Sequence, residues 1–133
     1  MMVVVKANGY GHGAINIANF LSKNSAIIFC VFTIDEAIKL RESGIKNSIL
    51  IFSRIHKEWI NLALKYNLWV NACHIDDLRL LDSFHSEKSK CPIIHLKFDT
   101  GMTRLGFDYE DYDNIYQYLI EHPHLNIEGI YSH

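Results

Sequence analysis

Six short apolar runs, each separated from the next by a stretch of helical periodicity, constrain this chain more than any other feature. The runs are Val3 to Val5, Ala26 to Phe32, Ser48 to Phe52, Leu68 to Ala72, Ile93 to Phe98 and Ile127 to Ser132. Near-continuous apolar strands of this kind are buried on both faces, as in parallel sheets. Between them, Gly13 to Ser22 places Ala14, Ile17, Ala18 and Leu21 on one helical face. Thr33 and Glu36 have the spacing of a capping box, and Gly44 takes the C′ position of the helix they start. His56 to Tyr66 and Ile75 to Phe84 are two further helices, the second followed by a polar surface loop, Ser86 to Lys90. A last helix begins near Asp108, runs through Tyr112, Ile115, Tyr116 and Leu119, and stops before Pro123.

Strands alternating with helices make a parallel α/β fold. Either a doubly wound sheet or a (β/α)8 barrel has this alternation. A barrel closes with eight strands over roughly 250 residues, so a chain of 133 residues supplies about six of them. That leaves a sheet edge unpaired and an apolar interior facing water. The doubly wound alternative has no Gly-x-Gly-x-x-Gly fingerprint here, because Gly9, Gly11 and Gly13 have the wrong spacing. No Gly-Lys-Ser/Thr phosphate loop is present either. Pattern alone leaves both architectures open.

The formal net charge of −2 gives no electrostatic reason for nucleic acid or an anionic membrane as partner. No apolar run approaches the ~18 residues of a membrane span, and no signal segment opens the chain. Cys30, Cys73 and Cys91 are far apart and odd in number, which reads as reduced thiols in a cytoplasmic protein. Seven glycines and two prolines leave no flexible linker, so residues 1–133 read as one domain. The histidines lack His-x-x-x-His or Cys/His spacing. His122-Pro123-His124 reads as a helix stop, and no metal site is expected.

In parallel α/β folds chemistry gathers at the C-terminal ends of strands. Three ends stand out. The first strand ends at Lys6, whose stem shares a face with Met2 and Val4. Burial of that face favours the neutral amine, a nucleophile toward aldehydes; a lysine snorkelling to water is the other reading. The fifth strand ends in Lys97-Phe98-Asp99-Thr100-Gly101-Met102-Thr103-Arg104, and the sixth in Gly129-Ile130-Tyr131-Ser132-His133. A Lys97–Asp99 surface pair with Arg104 in solvent is the plain reading of the second. Asp99, Thr100 and Gly101 are turn-formers.

The run Val4-Val5-Lys6-Ala7-Asn8-Gly9-Tyr10-Gly11-His12-Gly13 resembles the pyridoxal-phosphate attachment motif of alanine racemases at every position. Asp99-Thr100-Gly101-Met102 leading to Arg104, and Gly129-Ile130-Tyr131-Ser132-His133, are similar to two further motifs of that family. The resemblance implies a partial TIM-type barrel. It also implies pyridoxal 5′-phosphate as cofactor and a racemase interconverting L- and D-alanine for peptidoglycan. Lys6 would then be the Schiff-base lysine and one of two catalytic bases, and Tyr10 would donate to the cofactor phosphate. Arg104 would contact the cofactor's phenolic oxygen and the substrate carboxylate, with Met102 near the substrate and His133 beside the cofactor ring. Lys97 matches a lysine that many members carry carbamylated.

Family members are homodimers with a separate C-terminal β domain, from which the partner subunit supplies the opposite-face tyrosine base. Residues 1–133 correspond to part of the barrel domain, incomplete at both ends and without the β domain. Racemase activity is therefore not expected of this stretch alone. A non-catalytic pyridoxal-phosphate-binding barrel protein and a racemase for another amino acid are the alternative readings. The former relatives usually lack the Tyr-Gly-His-Gly run and the Asp-Thr-Gly-Met-x-Arg turn present here.

Overall fold

The computed structural model describes residues 1–133. Six strands run parallel in the order of the sequence: β1 (Met2–Val4), β2 (Ile28–Val31), β3 (Ile49–Arg54), β4 (Trp69–Ala72), β5 (Ile94–Lys97) and β6 (Ile127–Tyr131). Each strand pairs only with its sequence neighbours, so the sheet is that of a partial barrel rather than a doubly wound fold, whose strand order reverses at a switch point. The connecting elements are α1 (Lys6–Tyr10), α2 (Ala14–Leu21), α3 (Ile34–Glu42), α4 (Lys57–Lys65), α5 (Ile75–Lys88) and α6 (Tyr112–Glu121). A 3-10 turn, Tyr109–Asp111, leads into α6.

The core lies between the sheet and its helices. Alternation sends Phe29, Val31, Ile49, Ile51, Val70, Ala72, Ile94 and Leu96 toward the helical layer, and all eight are buried. They meet Ala18 of α2, Ala37 and Leu40 of α3, Ile60 and Ala63 of α4, Leu78 and Leu81 of α5, and Ile115 of α6. The Thr33–Glu36 capping box forms in both directions, and Gly44 follows α3 with φ 95°. Arg41 stitches the base of the sheet, donating to the carbonyls of Ile45, Asn47, Tyr66 and Asn67.

Three expectations change. The first strand is not buried on both faces: Met2 and Val4, 39% and 37% exposed, face the lumen of a sheet that curls only partway round. The edge effect repeats at β6, where Ile130 is 69% exposed on the helix side. Second, Ser86–Lys88 are not loop but the last turn of α5, which a left-handed Ser89 (φ 52°) terminates. Their polarity marks an exposed helix end, and Glu and Lys are good helix formers. Third, β3 runs on to Arg54, whose Nε donates to the buried carboxylate of Asp77 at 2.6 Å. No helix is long and apolar enough to cross a membrane.

Candidate active site

Lys6 lies two residues past the end of β1, beyond the buried Val5, rather than ending the strand, and it is half-buried. The chain beyond it does something L-residues avoid. Ala7, Asn8, Gly9 and Tyr10 all have left-handed φ/ψ, with φ of 50°, 54°, 63° and 53°. For a non-glycine residue this costs roughly 1–2 kcal/mol each, so the surroundings must impose it. They do so through hydrogen bonds. Gly9 N–H donates to Val5 O at 2.8 Å and Gly13 N–H to Asn8 O at 2.9 Å, while Asn8 Oδ1 accepts from Ala14 N–H at 3.1 Å. Gly9 suits its place, because it takes φ 63° without strain and a Cβ there would stand 2.8 Å from Ile17 Cδ1, which would have to move aside. The turn reverses the chain within five residues and leaves Lys6 and Tyr10 on the same cleft, with Lys6 Nζ 6.0 Å from the Tyr10 ring centroid.

The loop after β5 is built by Asp99. Its Oδ1 accepts from the N–H groups of Gly101 and Thr103, both at 2.9 Å, and its Oδ2 from Arg104 N–H at 2.7 Å. Those backbone donors hold the carboxyl down to about 2. Phe107 N–H returns to Lys97 O at 2.8 Å, and Asp99 N–H to Phe107 O at 2.9 Å, closing the loop at its base. Asp99 is therefore the turn-former expected of it, and no Lys97–Asp99 surface pair forms. Lys97 points inward and is buried, its ammonium donating to Leu105 O.

One cleft of about 770 Å³ at the C-terminal end of the sheet collects these groups. Lys6, Tyr10, Lys97, Arg104 and His133 all line it, although they come from positions 6 to 133 of the chain. Met2, Val4, Phe32 and Phe52 supply apolar walls. Lys6 Nζ lies 5.9 Å from the Phe32 ring centroid. Arg104 Nη2 stands 3.5 Å from His133 Nδ1. Met102 is on the same loop but half exposed and not part of the cleft wall. Lower in the lumen, Tyr131 donates to Asn71 Oδ1 at 3.1 Å, stacks on Phe52, and has its phenol pushed above the ordinary range by burial. Burial likewise pushes the thiols of Cys30 and Cys73 up to about 12, so these two free cysteines are poor nucleophiles.

Two cleft features escaped the sequence. Phe32 and Phe52 looked like ordinary strand apolar residues, yet each closes an apolar run of the sequence, the second and the third, and that was a usable signal. Glu36 was legible only as a helix cap, and its second contact, to Ala7, is 29 residues away in sequence.

The alanine racemase N-terminal domain family matches residues 1–133. The chain is 42% identical over 130 residues to an alanine racemase of Fusobacterium nucleatum, covering 98% of this chain and 35% of that protein. It is 41% identical over 133 residues to one of Carboxydothermus hydrogenoformans, covering 99% of this chain and 36% of that protein. Among solved structures, alanine racemase of Clostridium difficile 630 superposes with a TM-score of 0.88 at 28% identity, over 99% of this chain and 35% of that one. Alanine racemase from E. faecalis gives 0.86 at 38% identity, over 99% and 36%. A histidine racemase from Leuconostoc mesenteroides, at 24% identity and a TM-score of 0.87, shares the fold. The chain thus spans about a third of the length of the relatives it matches. With every residue inside the family match and the same curled sheet in its relatives, this chain belongs to the alanine racemase family, within the N-terminal domain.

Proposed function

We propose that residues 1–133 supply the lysine side of a pyridoxal-phosphate-dependent alanine racemase. The observation that carries this reading is the convergence of an amine, a phenol, a guanidinium and an imidazole on one apolar-walled cleft. That donor set fits a flat aromatic aldehyde bearing anionic groups. Phe32 and Val4 offer flat apolar contact, Lys6 Nζ the attachment atom, Tyr10 a hydroxyl donor for the phosphate, and Arg104 a planar cation for the phenolic oxygen. Held this way, pyridoxal phosphate acts as an electron sink that makes an amino acid's α-proton removable.

The protein's own groups do the rest. Arg104 orients the substrate carboxylate through a charge-assisted fork. Lys6 Nζ, as a free amine, would be the base that takes the α-proton from one face. Racemisation needs a second base on the opposite face. By the family resemblance this is a tyrosine of a partner subunit's β domain, outside these 133 residues. The cytoplasmic homodimer and the supply of D-alanine for peptidoglycan belong to the same proposal, as does the assignment of residues 1–133 to an incomplete barrel domain.

Lys97 extends the reading. A buried ammonium whose hydrogen-bond partner is the Leu105 carbonyl is costly. Addition of carbon dioxide to its neutral amine, with loss of one proton, would give a carbamate anion beside the loop that carries Arg104.

Specificity for alanine over another amino acid rests on the named relatives. The cleft's contribution within this chain is its apolar wall, which favours an apolar side chain. Adding pyridoxal phosphate to the chain tests the reading. A visible absorption band is expected with the native sequence and none with Lys6→Ala. An unchanged band in Lys6→Ala would contradict it.

A further inference from the structure

Glu36 makes two sets of contacts that serve different ends. Its Oε2 accepts from the N–H groups of Phe32 (2.8 Å) and Thr33 (3.1 Å), which is the helix-capping part. Its Oε1 accepts from Ala7 N–H at 2.6 Å, which no helix cap requires. Ala7 is the residue immediately after Lys6 and the first of the left-handed run. The same carboxylate therefore ties the backbone leaving Lys6 to the backbone carrying Phe32, whose ring flanks the Lys6 amine. Burial pushes Glu36 up, but the N–H donors of Thr33, Phe32 and Ala7 outweigh it and hold the carboxyl below its ordinary range.

We infer that Glu36 is a positioning residue for Lys6: its carboxylate locks the left-handed turn at Ala7 and so fixes where the amine stands against the cleft wall. This inference rests on the cofactor reading above for its purpose, though not for its geometry. A carboxylate suits the task because it has two acceptor oxygens and no donor. Glutamine at this place satisfies one side only and turns its NH2 toward an N–H donor on the other. Aspartate is one methylene short of spanning both sides.

The test uses the 133-residue chain with Glu36→Gln, Glu36→Asp and, as a control, Ile60→Val, which thins the core under α4 far from the turn. Two quantities are read: hydrogen exchange at the Ala7 amide, and the pyridoxal phosphate concentration at which borohydride fixes half of Lys6. Both Glu36 variants are expected to exchange Ala7 about tenfold faster and to need about tenfold more cofactor, a loss the size of one charged hydrogen bond. Ile60→Val is expected to lower thermal stability and move neither quantity. Wild-type exchange at Ala7 in the Glu36 variants would overturn the lock. Faster exchange with unchanged Lys6 fixation would overturn the positioning role. Absence of fixation in the native chain would sink the cofactor reading instead, and Ala7 exchange would then decide the lock alone.

Discussion

The carboxylate of Asp99 accepts the backbone N–H of Arg104 at 2.7 Å, so the residue that shapes the loop after β5 also holds the backbone from which the guanidinium reaches His133. Asp99→Asn keeps one acceptor oxygen and loses the other, so either Arg104 or the Gly101–Thr103 pair goes unsatisfied. Cofactor fixation at Lys6 is expected to weaken by roughly tenfold, with the secondary structure unchanged by circular dichroism.

Asp99 also sets an acid limb. A carboxyl held at about 2 in the fold and near its ordinary value when unfolded adds stability that is present above the unfolded value and lost as pH falls toward 2. Between pH 4 and pH 2 the native chain should therefore lose stability that Asp99→Asn does not. Parallel urea midpoints across that range check the sign.

Gly106 is the tightest backbone position of the loop. Its φ is 149°, and a Cβ would stand 2.4 Å from Asp99 N and 2.7 Å from the Phe98 carbonyl carbon, both backbone atoms that cannot swing aside. Gly106→Ala should cost about 2–3 kcal/mol and pull Arg104 away from His133. Urea unfolding gives the first number, and a drop in cofactor fixation the second effect.

His95 faces the lumen, stacked on Trp69 at 5.0 Å, with its Nε2 buried and without a hydrogen-bond partner. Burial lowers its pKa against a smaller opposing pull from Glu128. The fold binds fewer protons here than the unfolded chain, so His95 makes stability fall as pH drops below the ordinary histidine value. His95→Phe keeps the ring contact and removes the titration. Its stability should depend less on pH between 7 and 5 than the native chain's, as read by urea midpoints at each pH.

Much of this was legible in the residues, and what was not has a physical cause. Strand and helix placement followed from periodicity because each βα unit is local, whereas the strand order, which separates a barrel from a doubly wound sheet, is set by non-local pairing that periodicity does not carry. The Thr33–Glu36 box was readable because both partners lie within four residues. Glu36's reach to Ala7 was not, since no local rule pairs residues 29 apart. The left-handed turn was invisible because its glycines advertise only part of it: Ala7, Asn8 and Tyr10 adopt a conformation that their own preferences oppose. The exposed lumen face of β1 was misread because apolar strands in a closed barrel are covered by strands that these six do not supply. The cleft was legible as three strand ends, with Met102 the one expected member that the fold leaves off its wall.

Lys6 is proposed as the amine that takes the cofactor. Incubating the chain with pyridoxal phosphate, reducing with borohydride and mapping the added mass by peptide sequencing addresses it directly. The label is expected on Lys6 and on none of the other lysines, Lys97 included. A label spread over surface lysines, or one that survives Lys6→Ala undiminished, would contradict it.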